Sequence, residues 1–304
     1  MTGRSEGGRV LVVGSSNTDL VCQTDRLPLA GETVASRSFA IYPGGKAANQ
    51  AVAAARSGST VSFVGCFGDD DYGRERYREL AEEGVDLAGS RVIEGETSGL
   101  ALIAVDPSGE NLIITVGGAN DRTSVSQLES ALQRGAYDVV LLPNEAPPDV
   151  VRRAVTSGPE STIVLNAAPY ARHLSEIAGM IDVLVCNEVE AAQFLGREVG
   201  VANADQAVTE LAELARGTAV ITLGAAGAVG CQGGRVLQAP APKIDVVDMT
   251  GAGDAFCGTF ATWLAAGRSF EDAVNAGTVA GSLAATRAGA QPSLPEYAEI
   301  AARL

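Results

Sequence analysis

Short apolar runs alternate with amphipathic stretches of helical period along most of the chain. Each apolar run spans four or five residues, the length of a buried strand. The predicted strands are 10–14, 61–65, 138–142, 162–165, 182–185 and 219–223. The predicted helices are 46–56, 72–83, 188–195 and 204–216. This alternation predicts an α/β fold, with a parallel sheet covered by helices on both faces.

Two segments, 18–42 and 97–116, depart from this rhythm. Both show β-type alternation with turns and no helical pattern. The second reads as a hairpin whose turn is Asp106-Pro107-Ser108-Gly109, a sequence suited to a β-turn. We expect the two segments to pair in one small sheet. That sheet would emerge from a main domain formed by residues 1–17, 43–96 and 117–304.

The chain is acidic. Its 304 residues include 22 lysines and arginines against 37 aspartates and glutamates, which gives a net charge of −15. Such a field repels phosphate backbones and anionic membrane surfaces, so neither nucleic acid nor a membrane is an expected partner. The single histidine, His173, argues against a histidine triad, a histidine-rich metal site and a histidine proton relay.

The five cysteines are widely spaced and form no CxxC pair. This spacing is typical of reduced thiols and not of a zinc site or a disulfide framework. No apolar run approaches the length of a membrane span, and the polar N-terminus lacks the apolar core of a signal peptide. We therefore expect a cytoplasmic protein.

The segment 248–256, DMTGAGDAF, carries the sharpest chemical motif. Gly251, Ala252 and Gly253 form a turn that opens a helix, where unpaired backbone N–H groups and the helix dipole attract phosphate. Asp254 lies beside this anion pocket. A bound phosphate would repel a carboxylate there, so we expect Asp254 to have a chemical task. The task we expect is to accept the proton of an attacking hydroxyl. Taken alone, the motif is more typical of a tight turn with a capping aspartate.

A second motif, PGGKAANQ at 43–50, opens another predicted helix. Its paired glycines allow close backbone approach, and Lys46 and Asn49 share one helix face. The residues around Lys46 do not match a Walker A loop. Asn49 suits recognition of neutral hydroxyls, although a polar helix face is the commoner reason for such a residue.

Three further motifs follow predicted strands, at the sheet edge where ligands of open α/β folds collect. Asn17 and Asp19 share one strand face and could bond to neighbouring sugar hydroxyls, or they could form an Asx turn. Asn187 and Glu190 share a helical turn, suited to holding water around magnesium or simply to capping the helix. The loop 222–227, TLGAAG, could lie against the base or ribose of a nucleotide, but taken alone it is only a turn.

Taken together, these residues resemble the ribokinase family of sugar and nucleoside kinases. The resemblance covers nearly the whole chain, and the pairing of GGKxAN with GxGD is specific to the family. It also includes AGETV at 30–34, GENLIITVGGAN at 109–120, LNAAP at 165–169 and TRAGAQPS at 286–293. The resemblance implies a three-layer α/β/α sandwich with a mainly parallel central sheet. It further implies that the small β-sheet is a lid and the contact surface of a homodimer.

The resemblance also implies roles for individual residues. Asp254 would be the catalytic base, and the anion hole would comprise Gly251, Ala252 and Gly253. The sugar site would comprise Asn17, Asp19, Gly45, Lys46, Asn49, Glu145 and Asp254. The ATP site would comprise Asn187, Thr222, Leu223, Gly224, Ala225, Ala226, Gly227, Gly253 and Thr278, with Glu190 holding water around Mg²⁺. A monovalent cation, K⁺, would bind near Asp248, Thr250, Ala284, Arg287, Gly289 and Ser293, at several of them through carbonyl oxygens.

The expected activity is ATP-dependent phosphorylation of D-ribose at its 5-hydroxyl. Kinases of another furanose or of a nucleoside are alternatives within the same class. A non-catalytic sugar-binding protein is less favoured, because a pure binder gains nothing from a carboxylate beside phosphate. A hydride-transferring Rossmann enzyme is a distant candidate, since no dinucleotide fingerprint follows the first strand.

Overall fold

The computed structural model describes residues 7–156 and 161–304. Residues 1–6, which the sequence placed in the main domain, and residues 157–160 lie outside this range. The strands described are β1 (Gly7–Val13), β2 (Asn17–Thr24), β3 (Ser36–Gly44), β4 (Ser59–Val64), β5 (Cys66–Gly68), β6 (Arg91–Ile93), β7 (Gly99–Val105), β8 (Asn111–Val116), β9 (Val139–Pro143), β10 (Thr162–Asn166), β11 (Val183–Asn187), β12 (Thr218–Thr222), β13 (Ala228–Gln232) and β14 (Arg235–Ala239). The α-helices described are α1 (Lys46–Arg56), α2 (Asp71–Glu82), α3 (Val125–Arg134), α4 (Pro148–Val155), α5 (His173–Ile177), α6 (Glu188–Leu195), α7 (Ala204–Leu214), α8 (Ala252–Ala265), α9 (Phe270–Ala284) and α10 (Tyr297–Ala301). None of these helices has the length and apolar character needed to cross a bilayer.

Eight strands form the central sheet, in the order β14-β13-β12-β11-β10-β9-β1-β4. Neighbours from β4 to β12 are parallel, whereas β13 and β14 add an antiparallel edge. The sequence analysis did not predict this edge pair, because Gly230 interrupts the apolar pattern of β13; the Gly233-Gly234 turn between the strands is a hairpin signal that it missed. The predicted fold class, α/β with a mainly parallel central sheet, is confirmed.

Helices cover both faces of the central sheet, so the main domain has three layers. Alternate residues of β1 enter opposite cores, with Val10 and Val12 in one and Leu11 and Val13 in the other. Residues of α1, α8 and α9 close the first core, and residues of α3, α4 and α7 close the second. The alanine-rich α1 packs closely on α8, where a Cβ on Gly258 would collide with α1. This contact sets the distance between the two helices that later supply the site.

The two β-rich segments pair as predicted in a separate four-stranded sheet, in the order β3-β2-β7-β8. β2 runs antiparallel to β3 and parallel to β7. The strands pass the predicted limits slightly, since β2 begins at Asn17 and β3 ends at Gly44. Because successive side chains of a strand point to opposite faces, Asn17 and Asp19 lie on one face of this lid sheet and Leu20 lies on the other.

The predicted hairpin turn joins β7 to β8. The Asp106 carboxylate accepts a hydrogen bond from Ser108 N at 2.8 Å, and Gly109 N donates to the Asp106 carbonyl at 3.0 Å. Gly109 has a φ of +86°, a conformation that favours glycine. The sequence therefore predicted both the place and the chemistry of this turn.

Candidate active site

The candidate site lies where the carboxyl ends of the central strands meet the lid sheet. Among the helices that begin at this edge are α1, after lid strand β3, α6, after β11, and α8, after the turn at 248–251. The strand ends contribute polar residues from four places, namely Ser15, Glu145, Asn166 and Asn187. Open parallel sheets bind their ligands at this edge, as the sequence analysis expected.

Glycine is required where β3 passes into α1. Gly45 has a φ of +87°, and a Cβ there would lie 2.7 Å from Asn17 N. A Cβ on Gly44 would collide with the Asp19 carboxylate. The two glycines therefore let lid strand β2 cross the start of the helix at close range, which places Asn17 and Asp19 beside Lys46.

Glu145 and Asn120 hold in place residues that the sequence assigns to the sugar site. Glu145 Oε2 accepts a hydrogen bond from Lys46 N at 2.9 Å and another from the Ser15 hydroxyl. Asn120 Nδ2 donates to Asn17 Oδ1 at 2.7 Å. These bonds tie the loop after β1, the start of α1 and the segment after the lid to one another before any ligand binds.

Asp254 is the third residue of α8, and its side chain is buried. Asn49 Nδ2 donates to Asp254 Oδ2, and Gln50 Nε2 donates to Asp254 Oδ1, both at 2.9 Å. Gln50 Nε2 also lies 3.1 Å from Asn166 Oδ1. Each carboxylate oxygen is thus held by one amide of α1, which fixes the orientation of the carboxylate.

The surroundings of Asp254 favour its action as a base. Burial raises the pKa of Asp254 above its usual value, although the Lys46 ammonium and the bonds from Gln50 and Asn49 oppose the rise. The charge of Glu145 adds to the rise. A carboxylate with a raised pKa accepts a proton more readily than an ordinary aspartate does, as general-base catalysis near neutral pH requires.

Asp19, on the lid, also has a raised pKa, of about 6. Burial is the largest cause, the charges of Glu145 and Asp254 add to it, and those of Lys46 and Arg76 oppose it. The part of the site that the sequence assigns to the sugar is therefore an acidic cluster with two nearby cations. Such a cluster suits a neutral polyol better than an anionic substrate.

The turn before α8 contains two glycines with different roles. Gly251 caps the helix at a φ of +78°, and its missing side chain leaves room for Ala290 of the C-terminal loop. Gly253 has no such internal need, because a Cβ there would meet nothing within 4 Å. The N–H group of Ala252, assigned to the anion hole from the sequence, donates to the Met249 carbonyl at 3.2 Å. Gly253 is therefore the open part of the turn, as the predicted phosphate cradle requires, while Gly251 shapes the turn.

A cavity of about 240 Å³ adjoins this turn. Its walls include Gly253, Asp254 and Lys46, together with residues assigned to the nucleotide and magnesium sites from the sequence, namely Asn187, Glu190 and Thr222. The structure thus brings together groups from α1, α8 and the ends of β11 and β12. The cavity provides a space in which phosphates could contact Asp254.

Asn187 and Glu190 cap α6 reciprocally. Glu190 N donates to Asn187 Oδ1 at 2.9 Å, and Asn187 N donates to Glu190 Oε2 at 2.8 Å. The simpler interpretation, a helix cap, is therefore correct, but both residues also line the cavity. Burial raises the pKa of Glu190, against opposition from its bond to Asn187 N and from Lys46.

Direct coordination of a metal by several side chains has no support in the part of the chain that the structure describes. Residues 7–156 and 161–304 hold no cluster of three or more histidine, cysteine, aspartate or glutamate side chains suited to a metal ion. A single buried carboxylate such as Glu190 fits a magnesium ion that is already bound to phosphates and keeps its water ligands.

The loop 222–227 contributes less side-chain surface than the sequence suggested. Thr222 lines the cavity, and Gly224–Ala226 form an exposed turn of 3₁₀ helix. Gly227 has a φ of +96°, and a Cβ there would collide with the Ala239 carbonyl oxygen at the end of β14. This glycine is therefore required by the edge strands themselves, whether or not a nucleotide binds.

Two residues assigned to the nucleotide site have side chains engaged elsewhere. Leu223 packs into the second core. The hydroxyl of Thr278 donates to the Val274 carbonyl at 2.9 Å, within its own helix. Neither residue lines the cavity beside Asp254.

The two loops assigned to a monovalent cation are in contact. Asp248 Oδ2 accepts a hydrogen bond from Gly289 N at 2.9 Å. Asp248 Oδ1 accepts from Thr250 N at 2.9 Å and from the Thr250 hydroxyl at 2.6 Å. Burial opposes ionisation, but these bonds outweigh it and hold the pKa of Asp248 below its usual value. The loop pair therefore contains an ionised carboxylate directly before the turn at 250–253, which we call the anion turn.

The remaining residues of the expected cation site have their side chains occupied or lack polar ones. The Arg287 guanidinium pairs with Glu299, and the Ser293 hydroxyl donates to the Ala290 carbonyl at 2.7 Å. The carbonyl of Ala284 accepts from Arg287 N at 3.1 Å. A cation here would consequently depend on backbone carbonyls and Asp248, and Arg287 could contribute only through its backbone.

The sequence analysis missed four residues that hold the site together, namely Ser15, Gln50, Asn120 and Asn166. Gln50 carried a usable signal, because Lys46, Asn49 and Gln50 occupy positions i, i+3 and i+4 of one helix face. The others meet their partners only across long stretches of chain. Asn120, for example, bonds to a residue 103 positions away.

Comparison with known proteins identifies the family. The model of the pfkB family of carbohydrate kinases matches residues 8–297. Ribokinase of Haemophilus influenzae is 35% identical over 292 residues, which cover 95% of each chain. Deoxyribokinase of Salmonella typhi is 31% identical, over 96% of this chain and 97% of its own length. The structure of Arabidopsis thaliana ribokinase complexed with ribose and ATP matches with a TM-score of 0.87 and 30% identity, over 97% of this chain and 98% of that one. The chain therefore belongs to the pfkB family of carbohydrate kinases.

Proposed function

We propose that this kinase transfers the γ-phosphoryl group of ATP to the 5-hydroxyl of D-ribose. The observation that carries the proposal is the position of Asp254. This buried carboxylate is held by two amides of α1 and adjoins both the open cradle at Gly253 and the acidic sugar side. The similarity to the Haemophilus ribokinase and to the Arabidopsis ribokinase bound to ribose and ATP supports the choice of substrates.

The sugar would bind between the lid and the start of α1. Asn17 and Asp19 on the inner lid face, with Asn49 and Lys46 on α1, offer amide, carboxylate and ammonium groups to neutral hydroxyls. Glu145 holds the Lys46 backbone at 2.9 Å, so these groups are oriented before the sugar arrives. Preorganised polar groups of this kind discriminate among sugars, because a missing hydroxyl leaves a buried partner unpaired.

The chemical step needs one proton acceptor and one site for developing charge. Asp254 takes the proton of the attacking hydroxyl while that oxygen bonds to the γ-phosphorus and the bond to the ADP oxygen breaks. The backbone at Gly253 and the positive end of α8 stabilise the charge of the transferring group. Mg²⁺, held through water by Glu190, would neutralise charge on the phosphates.

We further propose that K⁺ binds between Asp248 and the loop that contains Gly289. The fit rests on Asp248, an ionised carboxylate whose bonds to Gly289 and Thr250 hold the two loops together. Large monovalent ions suit cages of several carbonyl oxygens. An ion here would lie behind the anion turn and stiffen it without contacting ATP.

A homodimer formed through the lid is also proposed. The lid face opposite Asp19 carries exposed apolar side chains in register across the strands, including Phe39, Ile41, Leu102 and Ile114. An uncovered apolar sheet face of this kind is a risk for aggregation, and a second copy would bury it symmetrically.

We also propose a cytoplasmic location. The five free cysteines support it, because free thiols are typical of a reducing compartment.

A substrate panel tests the proposed activity. Purified enzyme, ATP and Mg²⁺ are combined with D-ribose, 2-deoxyribose, other furanoses or nucleosides, and ADP release is followed by a coupled assay. D-Ribose should give the highest kcat/KM, and the product should carry phosphate on the 5-hydroxyl. The similarity to the Salmonella deoxyribokinase makes 2-deoxyribose the principal competitor. A higher kcat/KM for another acceptor would identify that acceptor as the substrate in place of D-ribose. If none of the acceptors caused ADP release, the proposed activity would be overturned.

A further inference from the structure

One aromatic residue of the lid, Tyr42, touches the loop that supports the phosphate side of the site. Tyr42 lies in β3 directly opposite Asp19 of β2, so the two residues share the inner face of the lid. Its ring occupies the space beside Gly289, where a Cβ would lie 3.3 Å from Tyr42 Cδ1 and 3.4 Å from Cε1. Gly289 has a φ of +83°, so both the backbone and the ring favour glycine at this position.

Gly289 is in turn connected to the turn that opens α8. Its N–H group donates to Asp248 Oδ2 at 2.9 Å, and Asp248 Oδ1 accepts from Thr250. The next residue, Ala290, backs the cap of α8, since a Cβ on Gly251 would lie 3.0 Å from Ala290 Cα. A continuous line of contacts therefore runs from the sugar-facing lid to the phosphate-binding turn.

The lid strand contacts this loop at more than one point. Strand β3 also packs against the short turn Gln291–Ser293, which follows Ala290. Pro292 Cδ lies 3.6 Å from the position of a Cβ on Gly289, on the same side as the Tyr42 ring. Tyr42 and Pro292 thus enclose Gly289, so a displacement of β3 would be transmitted to the loop.

We propose that Tyr42 is a positioning residue that couples closure of the lid over the sugar to the shape of the phosphate-binding turn. The proposal rests on the proposed kinase function. A sugar that bonds to Asp19 draws β2 and β3 toward the site, and Tyr42 then presses the loop at Gly289 and Ala290 against Gly251. The turn is held in the conformation that phosphate requires, so each ligand favours binding of the other.

Calorimetric titration of ADP, with and without saturating ribose, tests this coupling. Wild-type enzyme should bind ADP at least about fivefold more tightly when ribose is present, the lower range of typical coupling between sites. In Tyr42→Ala this factor should fall below about twofold, because the ring no longer reaches Gly289. Tyr42→Phe keeps the ring carbons that make the contact and should retain the wild-type factor.

A matched control is Phe39→Ala, which removes an aromatic ring from the same strand. Phe39 lies opposite Cys22, on the lid face proposed for the dimer, so light scattering is used to compare enzymes of equal oligomeric state, and the coupling should remain at the wild-type value. Tyr42→Leu keeps apolar bulk without the ring. It provides a second measurement of the coupling factor if the alanine variant folds poorly, and this variant should also lose the coupling.

The outcomes separate this inference from the proposed activity. Unchanged coupling in both Tyr42→Ala and Tyr42→Leu, or no coupling in the wild type, would overturn the role of Tyr42. Absence of ribose binding by the wild-type enzyme would instead overturn the proposed substrate. Reciprocity provides an internal check, because ADP must tighten ribose binding by the same factor.

Discussion

The two sides of the site, which we propose bind the sugar and the phosphates and call the sugar side and the phosphate side, are formed by different kinds of groups. The sugar side consists of side chains that hold one another, as Asn49 and Gln50 hold Asp254. The phosphate side consists largely of backbone and open space, as at Gly253 and at the exposed turn Gly224–Ala226. The two sides meet at the start of α8, where Gly253 and Asp254 are adjacent in the chain.

The difference follows from the chemistry of the two ligands. A neutral polyol is recognised only by donors and acceptors held in fixed positions, so the groups that bind it must be preorganised. Phosphates bring their own charge, and a helix N-terminus with little side-chain bulk attracts them through backbone groups. Substitutions on the sugar side should therefore change the chemical step or sugar affinity, and those on the phosphate side should change use of the nucleotide.

The largest effect is expected where the two sides meet. Asp254→Asn keeps the shape of the side chain and removes the base, so kcat should fall by at least about a hundredfold. Ribose affinity measured by calorimetry should change little. The matched control is Asp272→Asn, since Asp272 is also the third residue of a helix, α9, but does not line the cavity beside Asp254. Retention of most turnover by Asp254→Asn would show that another group accepts the proton.

A large effect confined to the phosphate side is expected from Gly253→Val. Because a Cβ at Gly253 meets nothing within 4 Å, thermal stability should stay close to wild type. The added side chain would fill the cradle, so kcat/KM for ATP should fall about tenfold or more. Ribose affinity should be unchanged. Gly179→Val, at another exposed glycine, is the control; equal ATP kinetics for the two variants would exclude a phosphate cradle at Gly253.

A tenfold effect of pH is expected on the sugar side. Asp19, with a pKa of about 6, accepts strong, charge-assisted hydrogen bonds from hydroxyls only in its ionised form. Ribose, which stabilises the ionised form, should bind more weakly as the pH falls through 6. About a tenth of Asp19 is ionised at pH 5, so affinity there should be about tenfold below that at pH 7.5. Calorimetry across this range measures the fall; Asp19→Asn should bind weakly at every pH, without the step.

A smaller effect is expected from the cation behind the anion turn. K⁺ should raise turnover several-fold over Na⁺ at equal ionic strength, and Asp248→Ala should remove most of this response. Rates are compared in K⁺, Na⁺ and a bulky organic cation. Identical wild-type rates in all three would mean that no functional cation binds between these loops.

The smallest effect on turnover is expected from the outer face of the lid. Ile114→Asp places a charge on the apolar face and should convert a micromolar dimer into monomer by light scattering. Ile113→Asp changes the neighbouring residue, which lies on the opposite face, and should leave the dimer intact. A wild-type monomer with full activity would remove the lid as a dimer surface.

Much of the fold could be predicted because its signals are local. The hydrophobic period located the strands of the parallel core, and the turn at Asp106–Gly109 was recognisable from its residues. Strands β13 and β14 escaped prediction, because Gly230 interrupts the apolar pattern of β13 and because only pairing with β12 makes these strands a sheet edge. Pairing between strands is a long-range property that a local pattern does not contain.

The sequence by itself determined the chemical inventory of the site: the helix-opening turn before Asp254, the paired glycines before Lys46, and the polar residues after strands. Tertiary structure alone decided how these groups are used. It assigned Gln50 and Asn49 to the two oxygens of Asp254, turned the Thr278 hydroxyl back onto its own helix, and placed Tyr42 against Gly289. The physical reason is that hydrogen bonds and packing act over a few ångströms in space, whereas the partners can lie far apart in the chain, as Tyr42 and Gly289 do, 247 positions apart.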